Sequence, residues 1–224
     1  MKILNLYAGI GGNRKLWGDE HEITAIEIDP NIAKIYQDFF PNDKVIVTDA
    51  HQYLLEHYKE FDFIWRSPPC PTHSRLRKVI SMNSGAKAVY PDMKLYEEIL
   101  FLEGYFNGKY VVENVIGWYE PLIKPYELER HYFWSNFVLP KITITNGKIE
   151  LCNGYPKEDD KEQVERFQKE FGFDLRKYDL STMKMRTMLR NCVNPLTGKH
   201  ILDFATKNKQ VTLEELKSKL KEGK

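Results

Sequence analysis

The first half of the chain alternates short apolar runs, typical of buried strands, with segments whose apolar residues recur at helical spacing. Strands interleaved with helices of this size indicate βαβ units, so we expect an α/β fold with a doubly wound, mostly parallel sheet. Ligands bind such sheets beyond the carboxyl ends of the strands, which makes the residues there the candidate functional residues. The expected strands are Lys2 to Tyr7, Ile23 to Ile28, Val45 to Val47, Phe61 to Trp65 and Tyr110 to Val112, and the expected helices are Asn13 to Trp17, a helix opened by Asp29-Pro30, Ala50 to Tyr58 and Met93 to Phe106.

The regular alternation fades after Asn114, and the residues from about Asn153 to Lys161 are polar and rich in turns. The expected elements after Asn114 are strands at Arg130 to Val138 and Ile142 to Thr145, a turn at Asn146-Gly147, helices at Glu162 to Phe171 and Ser181 to Leu189, and a C-terminal helix opened by a capping box at Thr212.

Composition limits the kinds of protein and partner. The chain has 224 residues, enough for one substantial core and a small appendage. Its 42% hydrophobic and 29% charged residues are ordinary for a soluble globular protein, and no apolar run approaches a membrane span. A net charge of +1 creates no global basic field, so a nucleic acid would have to meet a local patch. The three cysteines lack metal-ligand spacing and suit a reducing compartment, so we expect a cytoplasmic protein with no metal and no membrane partner.

A glycine-rich turn and two strand ends predict a nucleoside site. The turn Tyr7-Ala8-Gly9-Ile10-Gly11-Gly12 lets backbone N–H groups approach a ligand at the start of a helix. Glu27 would accept from ribose hydroxyls, Ile28 would be an apolar wall for an adenine ring, and Asp49-Ala50 would meet the adenine amino group. The alternative is structural, because acids also favour helix N-termini, and Asp49 in particular suits a helix cap.

The segment Ser67-Pro68-Pro69-Cys70 follows an apolar strand and predicts a fixed nucleophile. Proline lacks an N–H and ends the strand, so the thiol is presented on stiff backbone at the rim of the sheet. A buried structural cysteine is the commonest alternative, but the sequence around Cys70 is polar and basic, and positive charge lowers a thiol pKa toward the reactive thiolate. Glu113 ends the neighbouring strand, where its carboxyl group would stabilise charge on a ring nitrogen during covalent addition.

A basic stretch comes directly after the thiol. Its position beside the proposed nucleophile favours contact with phosphates, whereas a solvated loop is the alternative. The residues assigned to nucleic-acid contact are Ser74, Arg75, Arg77, Lys78 and Asn114.

Four strings, read in order, resemble the DNA (cytosine-5) methyltransferases. Together the thiol and glutamate motifs are specific to that family, whereas the glycine turn alone is common. The resemblance implies a Rossmann-like, S-adenosylmethionine-dependent catalytic domain at residues 1–136 and 183–210, a short target-recognition region at 137–182 and a C-terminal helix at 211–224. The strings are Leu4-Asn5-Leu6-Tyr7-Ala8-Gly9-Ile10-Gly11-Gly12, Ser67-Pro68-Pro69-Cys70, Glu113-Asn114-Val115 and Asn191-Cys192-Val193-Asn194-Pro195.

The same resemblance implies a reaction and its participants. The cofactor would be S-adenosylmethionine, leaving as S-adenosylhomocysteine, and the substrate would be double-stranded DNA whose target cytosine is flipped out of the stack. Cys70 would attack carbon 6 of cytosine, Glu113 would hold or protonate nitrogen 3, and Arg130 would contact the carbonyl oxygen or the neighbouring backbone. Besides the glycine turn and the two strand ends, the implied cofactor-binding residues are Ser67, Pro68, Asn191, Cys192 and Val193.

Two other functions remain open at this stage. The first is an RNA cytosine-5 methyltransferase, for example of tRNA, that uses the same thiol chemistry. The second is a catalytically idle nucleic-acid-binding relative, because Arg130 stands alone in a motif that usually offers two arginines. The compact recognition region suggests a bacterial or phage-infected cell and a link to restriction–modification, and the chain could be a monomer or a dimer.

Overall fold

A computed structural model describes residues 1–84, 87–141 and 159–207. The expected strand Ile142 to Thr145, the turn Asn146-Gly147 and the C-terminal helix from Thr212 lie outside the described residues. No helix among the described residues is long and apolar enough to cross a membrane.

One seven-stranded sheet organises the chain, with the strand order β3-β2-β1-β4-β5-β7-β6. The first five strands run parallel to their neighbours, whereas β7 is antiparallel to both β5 and β6. The strands are β1 (Lys2–Leu6), β2 (Glu22–Glu27), β3 (Lys44–Val47), β4 (Phe63–Arg66), β5 (Lys109–Val115), β6 (Tyr126–Leu128) and β7 (His131–Ser135).

Helices cover both faces, which makes the sheet doubly wound and confirms the predicted fold class. Two short 3-10 helices, Asn13–Leu16 and Tyr58–Glu60, complete the connections. The α-helices are α1 (Pro30–Phe39), α2 (Ala50–His57), α3 (Arg75–Ser84), α4 (Lys94–Tyr105), α5 (Asp160–Phe171), α6 (Thr182–Arg190) and α7 (Pro195–Lys207).

Local sequence signals explain where several helices begin. The Asp29 side chain accepts from the backbone N–H groups of residues 31 and 32, and Pro30 occupies the first helical position of α1. Asp49 caps α2 in the same way by accepting from Gln52 N–H. A capping box between Asp159 and Glu162 opens α5.

Each face of the sheet has its own apolar core. On one face, alternate strand residues pack with α2 and α4, for example Leu4 and Ile64 with Leu102. On the other face, Ile3 and Trp65 pack with α7, and a neighbouring cluster joins α1 to α5 and α6. The residues of α5 and of the turn after it that enter this second face are Val164, Phe167, Phe171, Phe173 and Leu175.

Three elements escaped sequence analysis, and one of them is helix α7 (Pro195–Lys207), of which only Pro195 was recognised, as the end of the fourth string. Residues 75–84 form helix α3, although only a basic stretch was recognised there. The three-residue strand β6 was also missed, and it pairs with β7 to close the sheet edge beyond β5.

Candidate active site

The turn after β1 adopts a backbone that leaves room above it. Tyr7, Gly9 and Gly11 have φ values of 57°, 55° and 85°, in the left-handed region that favours glycine. A Cβ at Gly11 would lie 2.3 Å from the Phe40 ring, so this glycine is required by packing. A Cβ at Gly9 would meet nothing within 4 Å, so open space faces the turn at that point.

The acid at the end of β2 shapes this turn. Glu27 accepts hydrogen bonds from the backbone N–H of Gly9 at 2.9 Å and from that of Asp29 at 3.0 Å. Beside it Ile28 is 67% exposed, as a wall for a flat ring would be. Asp49 is exposed and caps α2, which is the structural alternative raised for that residue, while Ala50 is buried beneath it.

These features fit S-adenosylmethionine, the cofactor that the sequence resemblance implies. The open space above Gly9, the uncovered Ile28 and the acceptor oxygens of Glu27 lie at the carboxyl ends of adjacent strands. No cluster of His, Cys, Asp or Glu within the described ranges is arranged to hold a metal ion.

The thiol lies on a loop that β5 holds in place. Cys70 is half-buried and follows β4 by four residues. The Asn114 amide donates to the Pro68 carbonyl at 3.0 Å and is itself 2% exposed. The Cys70 carbonyl accepts from the backbone N–H groups of His73 and Ser74 at 3.0 and 3.1 Å. The loop is therefore fixed on both sides of the sulfur.

A second segment, residues 117–119, supports the start of α3. Trp118 donates its backbone N–H to the His73 carbonyl and its ring Nε1–H to the Thr72 carbonyl, each at 3.1 Å. The buried His73 ring lies 2.7 Å from the Tyr119 hydroxyl. His73 thus has a structural partner that accounts for its burial.

Burial governs the charge of the thiol and of the carboxyl group. Burial raises the pKa of Cys70, the Glu113 carboxylate raises it further, and Arg130 lowers it. The expectation that basic neighbours lower this pKa is therefore wrong as a net effect, because desolvation outweighs them. Burial also raises the pKa of Glu113 to about 7, against the lowering effects of the Ser67 hydroxyl and Arg130.

Arg130 of the turn between β6 and β7 and His131, the first residue of β7, lie near this carboxyl group. Glu129 has a φ of 55°, a strained value for a residue with a Cβ, and accepts from the Thr197 hydroxyl at 3.1 Å. Arg130 is half-buried and donates to the Arg190 carbonyl at 3.3 Å. The His131 Nε2 lies 3.5 Å from the Glu113 Oε1.

The fourth string, Asn191 to Pro195, is called here the late motif, and it lies against the glycine turn. Asn191 is exposed at the C-cap of α6, and the two residues after it, Cys192 and Val193, are buried. A Cβ at Gly12 would lie 2.6 Å from the Cys192 Cβ, so the two segments touch closely. Burial raises the pKa of Cys192 to about 12, which leaves this thiol protonated and unreactive.

A buried ionic cluster under Tyr7 was missed by sequence analysis. Arg66, the last residue of β4, is fully buried and pairs with Glu98 of α4, which also contacts His51 Nδ1. The Tyr7 hydroxyl donates to Glu98 at 3.3 Å, and its ring lies 5.3 Å from the Arg66 guanidinium. The only available signal was an arginine at the end of an apolar strand, which named no partner.

The residues assigned to nucleic acid fall into two groups. Arg75 and Lys78 are exposed on α3, where Arg75 Nε donates to the Gly117 carbonyl and Lys78 lies over the Trp118 ring. Ser74 is half-buried, and its hydroxyl accepts from the Leu76 N–H. The Arg77 side chain lies outside the described residues, although its backbone is helical. Asn114 is buried, so we reassign it from nucleic-acid contact to holding the thiol loop.

Comparison with known proteins gives one family match. A sequence model described as C-5 cytosine-specific DNA methylase matches residues 1–102, which include the glycine turn and the thiol motif and end before Glu113. A curated relative, the tRNA (cytosine(38)-C(5))-methyltransferase of Spodoptera frugiperda, is 24% identical over 192 residues. That alignment covers 76% of this chain and 56% of the relative, so the chain spans little more than half of its length.

Two solved structures resemble parts of this chain. A variant of Spodoptera frugiperda DNMT2 superposes with a TM-score of 0.38 and 26% identity, covering 54% of this chain and 37% of that one. The Entamoeba histolytica methyltransferase EhMeth superposes with a TM-score of 0.35 and 15% identity, covering 51% and 38%. The fold class itself rests on the strand order of the sheet.

Proposed function

We propose that this chain, whose residues 1–102 match the sequence model of C-5 cytosine-specific DNA methylases, methylates carbon 5 of a flipped cytosine in double-stranded DNA. The observation that carries the proposal is the half-buried Cys70 thiol on a loop that β5 holds in place, near the buried Glu113 carboxyl group of that strand, whose pKa burial raises to about 7 and whose charge raises the pKa of Cys70. A carboxyl group that is protonated near neutrality can donate to a ring nitrogen while the thiolate adds to the ring.

In the proposed reaction each residue has one role. The Cys70 sulfur adds to carbon 6 of cytosine, which places electron density on carbon 5, while Glu113 donates a proton to nitrogen 3. Arg130 supports the far edge of the base at its carbonyl oxygen. Once carbon 5 carries the methyl group, a base removes the remaining carbon 5 proton, the bond from carbon 6 to sulfur breaks and releases the thiolate, and the nitrogen 3 proton returns to the Glu113 carboxylate, which restores the aromatic ring.

The cofactor supplies an electrophilic methyl group for carbon 5 when it is bound. We assign its nucleoside to the turn Tyr7 to Gly12, with Glu27 at the ribose and Ile28 and Asp49 at the adenine. Ser67, Pro68 and the late motif at Asn191 would close over its amino-acid end. The close packing of Gly12 against Cys192 supports this grouping.

Covalent trapping tests the proposal. Duplex DNA containing 5-fluorocytosine cannot lose a proton at carbon 5, so the wild-type protein with S-adenosylmethionine is expected to form an adduct that survives denaturing electrophoresis. Cys70→Ser is expected to form none, whereas the control Cys152→Ser, which alters a cysteine outside every motif, retains it. An adduct on Cys70→Ser would refute the assignment.

A tRNA substrate is the second candidate, and one observation favours it. The curated relative is named for cytosine 38 of tRNA. Methyl transfer to duplex DNA and to tRNA, measured side by side with Cys70→Ser as the blank, separates the two. Transfer to tRNA alone would replace the DNA substrate while keeping the same thiol chemistry.

A further inference from the structure

A histidine occupies an apolar position beside the proposed active site. His131 is 7% exposed on β7, on the same face as Phe133, which is fully buried. Its cross-strand neighbour on β6 is the buried Leu128. Packing at this position would be satisfied by an aliphatic side chain, whereas a buried imidazole needs a polar partner.

That partner is the carboxyl group of Glu113. The register of β5 and β7 opposes Glu113 to Phe133, and His131 to Val115, so Glu113 and His131 are diagonal neighbours on one face. The His131 Nε2 lies 3.5 Å from the Glu113 Oε1, and both side chains are buried.

The imidazole at this position is neutral. Burial lowers the pKa of His131 to about 3, and the neighbouring Arg130 lowers it further. A neutral imidazole offers an N–H to the carboxyl oxygen without fixing the carboxylate in its ionised form, as a buried lysine or arginine would. The other groups facing Glu113 are Ser67 and Cys70 from the loop after β4 and the charged Arg130 from the turn before β7, which lowers the pKa of Glu113.

We propose that His131 is a positioning residue for Glu113, holding its carboxyl group toward the thiol loop by an uncharged contact at Oε1. The inference rests on the proposed function for the role of Glu113, but the contact itself is testable without turnover. In this proposal His131 acts through Glu113 and takes no proton in the reaction.

The first test titrates Glu113 directly. Protein labelled with ¹³C at glutamate carboxyl groups is followed by NMR against pH, with Glu113→Gln assigning the signal. Because His131→Phe removes the polar neighbour that lies 3.5 Å from the Glu113 Oε1, the ionised carboxylate loses a stabilising contact and the pKa of Glu113 is expected to rise. His131→Gln keeps a donor and is expected to leave it nearly unchanged.

A single titration curve shared by the wild type, His131→Phe and His131→Gln would overturn the proposal. Equal shifts in both variants would also overturn it, because they would mean that His131 only fills space. If His131→Phe does not fold, as judged by circular dichroism, His131→Met takes its place.

The second test measures turnover. His131→Phe is expected to lower kcat by about tenfold or more with KM for the nucleic acid little changed, since only the orientation of Glu113 is altered. His131→Gln is expected to recover most of the rate, and His200→Gln, a half-buried histidine of α7, serves as the control.

The two tests separate the two proposals. If the wild type transfers no methyl group, the proposed function fails, and the titration still decides whether His131 holds Glu113. If the wild type is active and His131→Phe keeps its full kcat, the positioning role is refuted and the proposed function stands.

Discussion

At the scale of single residues, Glu113 and His131 titrate in opposite senses. Glu113 has a folded pKa of about 7 against an ordinary value of 4.5, so the folded state binds the extra proton and stability falls as pH rises between them. His131 has a folded pKa of about 3 against 6.5, so the unfolded state binds the extra proton and stability rises with pH across that range. The two slopes oppose each other between roughly pH 4.5 and 6.5.

Removing the Glu113 carboxyl group should leave only the effect of His131 on how folding stability depends on pH. Glu113→Gln is expected to become steadily more stable from about pH 4.5 to 6.5, and to exceed the wild type above pH 7 by up to about 3 kcal/mol. Urea unfolding at several pH values measures this. Parallel wild-type and variant curves would mean that Glu113 titrates normally in the folded protein.

At the scale of elements, sequence reasoning found what apolar periodicity marks and missed what it does not. The parallel strands and α1, α2 and α4 carry regular apolar patterns, and each was predicted within a few residues. Among the described side chains of helix α3 the apolar ones, Leu76, Val79 and Met82, are exposed, so these residues form no buried stripe to recognise. Contacts between distant segments, such as that of His131 with Glu113, depend on strand register, which spacing alone did not supply.

Helix α3 gives a prediction about salt. If Arg75 and Lys78 contact phosphates, replacing each by alanine should weaken binding to any sequence and reduce the slope of log affinity against log salt by about 0.9 per contact on duplex DNA. Fluorescence anisotropy at several salt concentrations measures the slope, with exposed Lys199→Ala on α7 as the matched control. Unchanged slopes would place the phosphate contacts elsewhere.

The hydrogen bond between Asn114 of β5 and the thiol loop gives a prediction about stability and turnover. Asn114→Ala removes the donor to the buried Pro68 carbonyl and is expected to cost about 1–3 kcal/mol. Turnover should fall with it, because the sulfur loses one of its two supports. Denaturant unfolding and methyl-transfer rates are compared in the same preparations. A variant with full stability and full rate would show that the remaining hydrogen bonds suffice.

At the scale of the whole molecule, residues 159–180 contribute to the apolar cluster that joins α1 to α5 and α6. Phe167 of α5 is fully buried in the cluster that contains Ile35 and Tyr36 of α1. The described part of the proposed target-recognition region therefore contributes buried side chains to the core beside the sheet. Target recognition, as proposed, would involve the exposed residues of this region.

Truncating Phe167 should consequently destabilise the entire fold. Phe167→Ala is expected to cost about 3–5 kcal/mol, as for other buried phenylalanines. The control Val138→Ala alters a 61% exposed side chain of the same region and should change stability little. A single unfolding transition shifted as a whole supports one cooperative unit, whereas a separate early transition would mark an independent region.

The ionic cluster under Tyr7 limits which substitutions the sequence tolerates at Arg66 and Glu98. Arg66 and Glu98 come from segments far apart in the chain, and losing either one strands an uncompensated charge between sheet and helix. Replacement of both by apolar side chains is the tolerated route, and this coupled exchange should leave a more stable fold than either single substitution. Divergent descendants of this chain are thus expected to keep the two charges together or to discard them together.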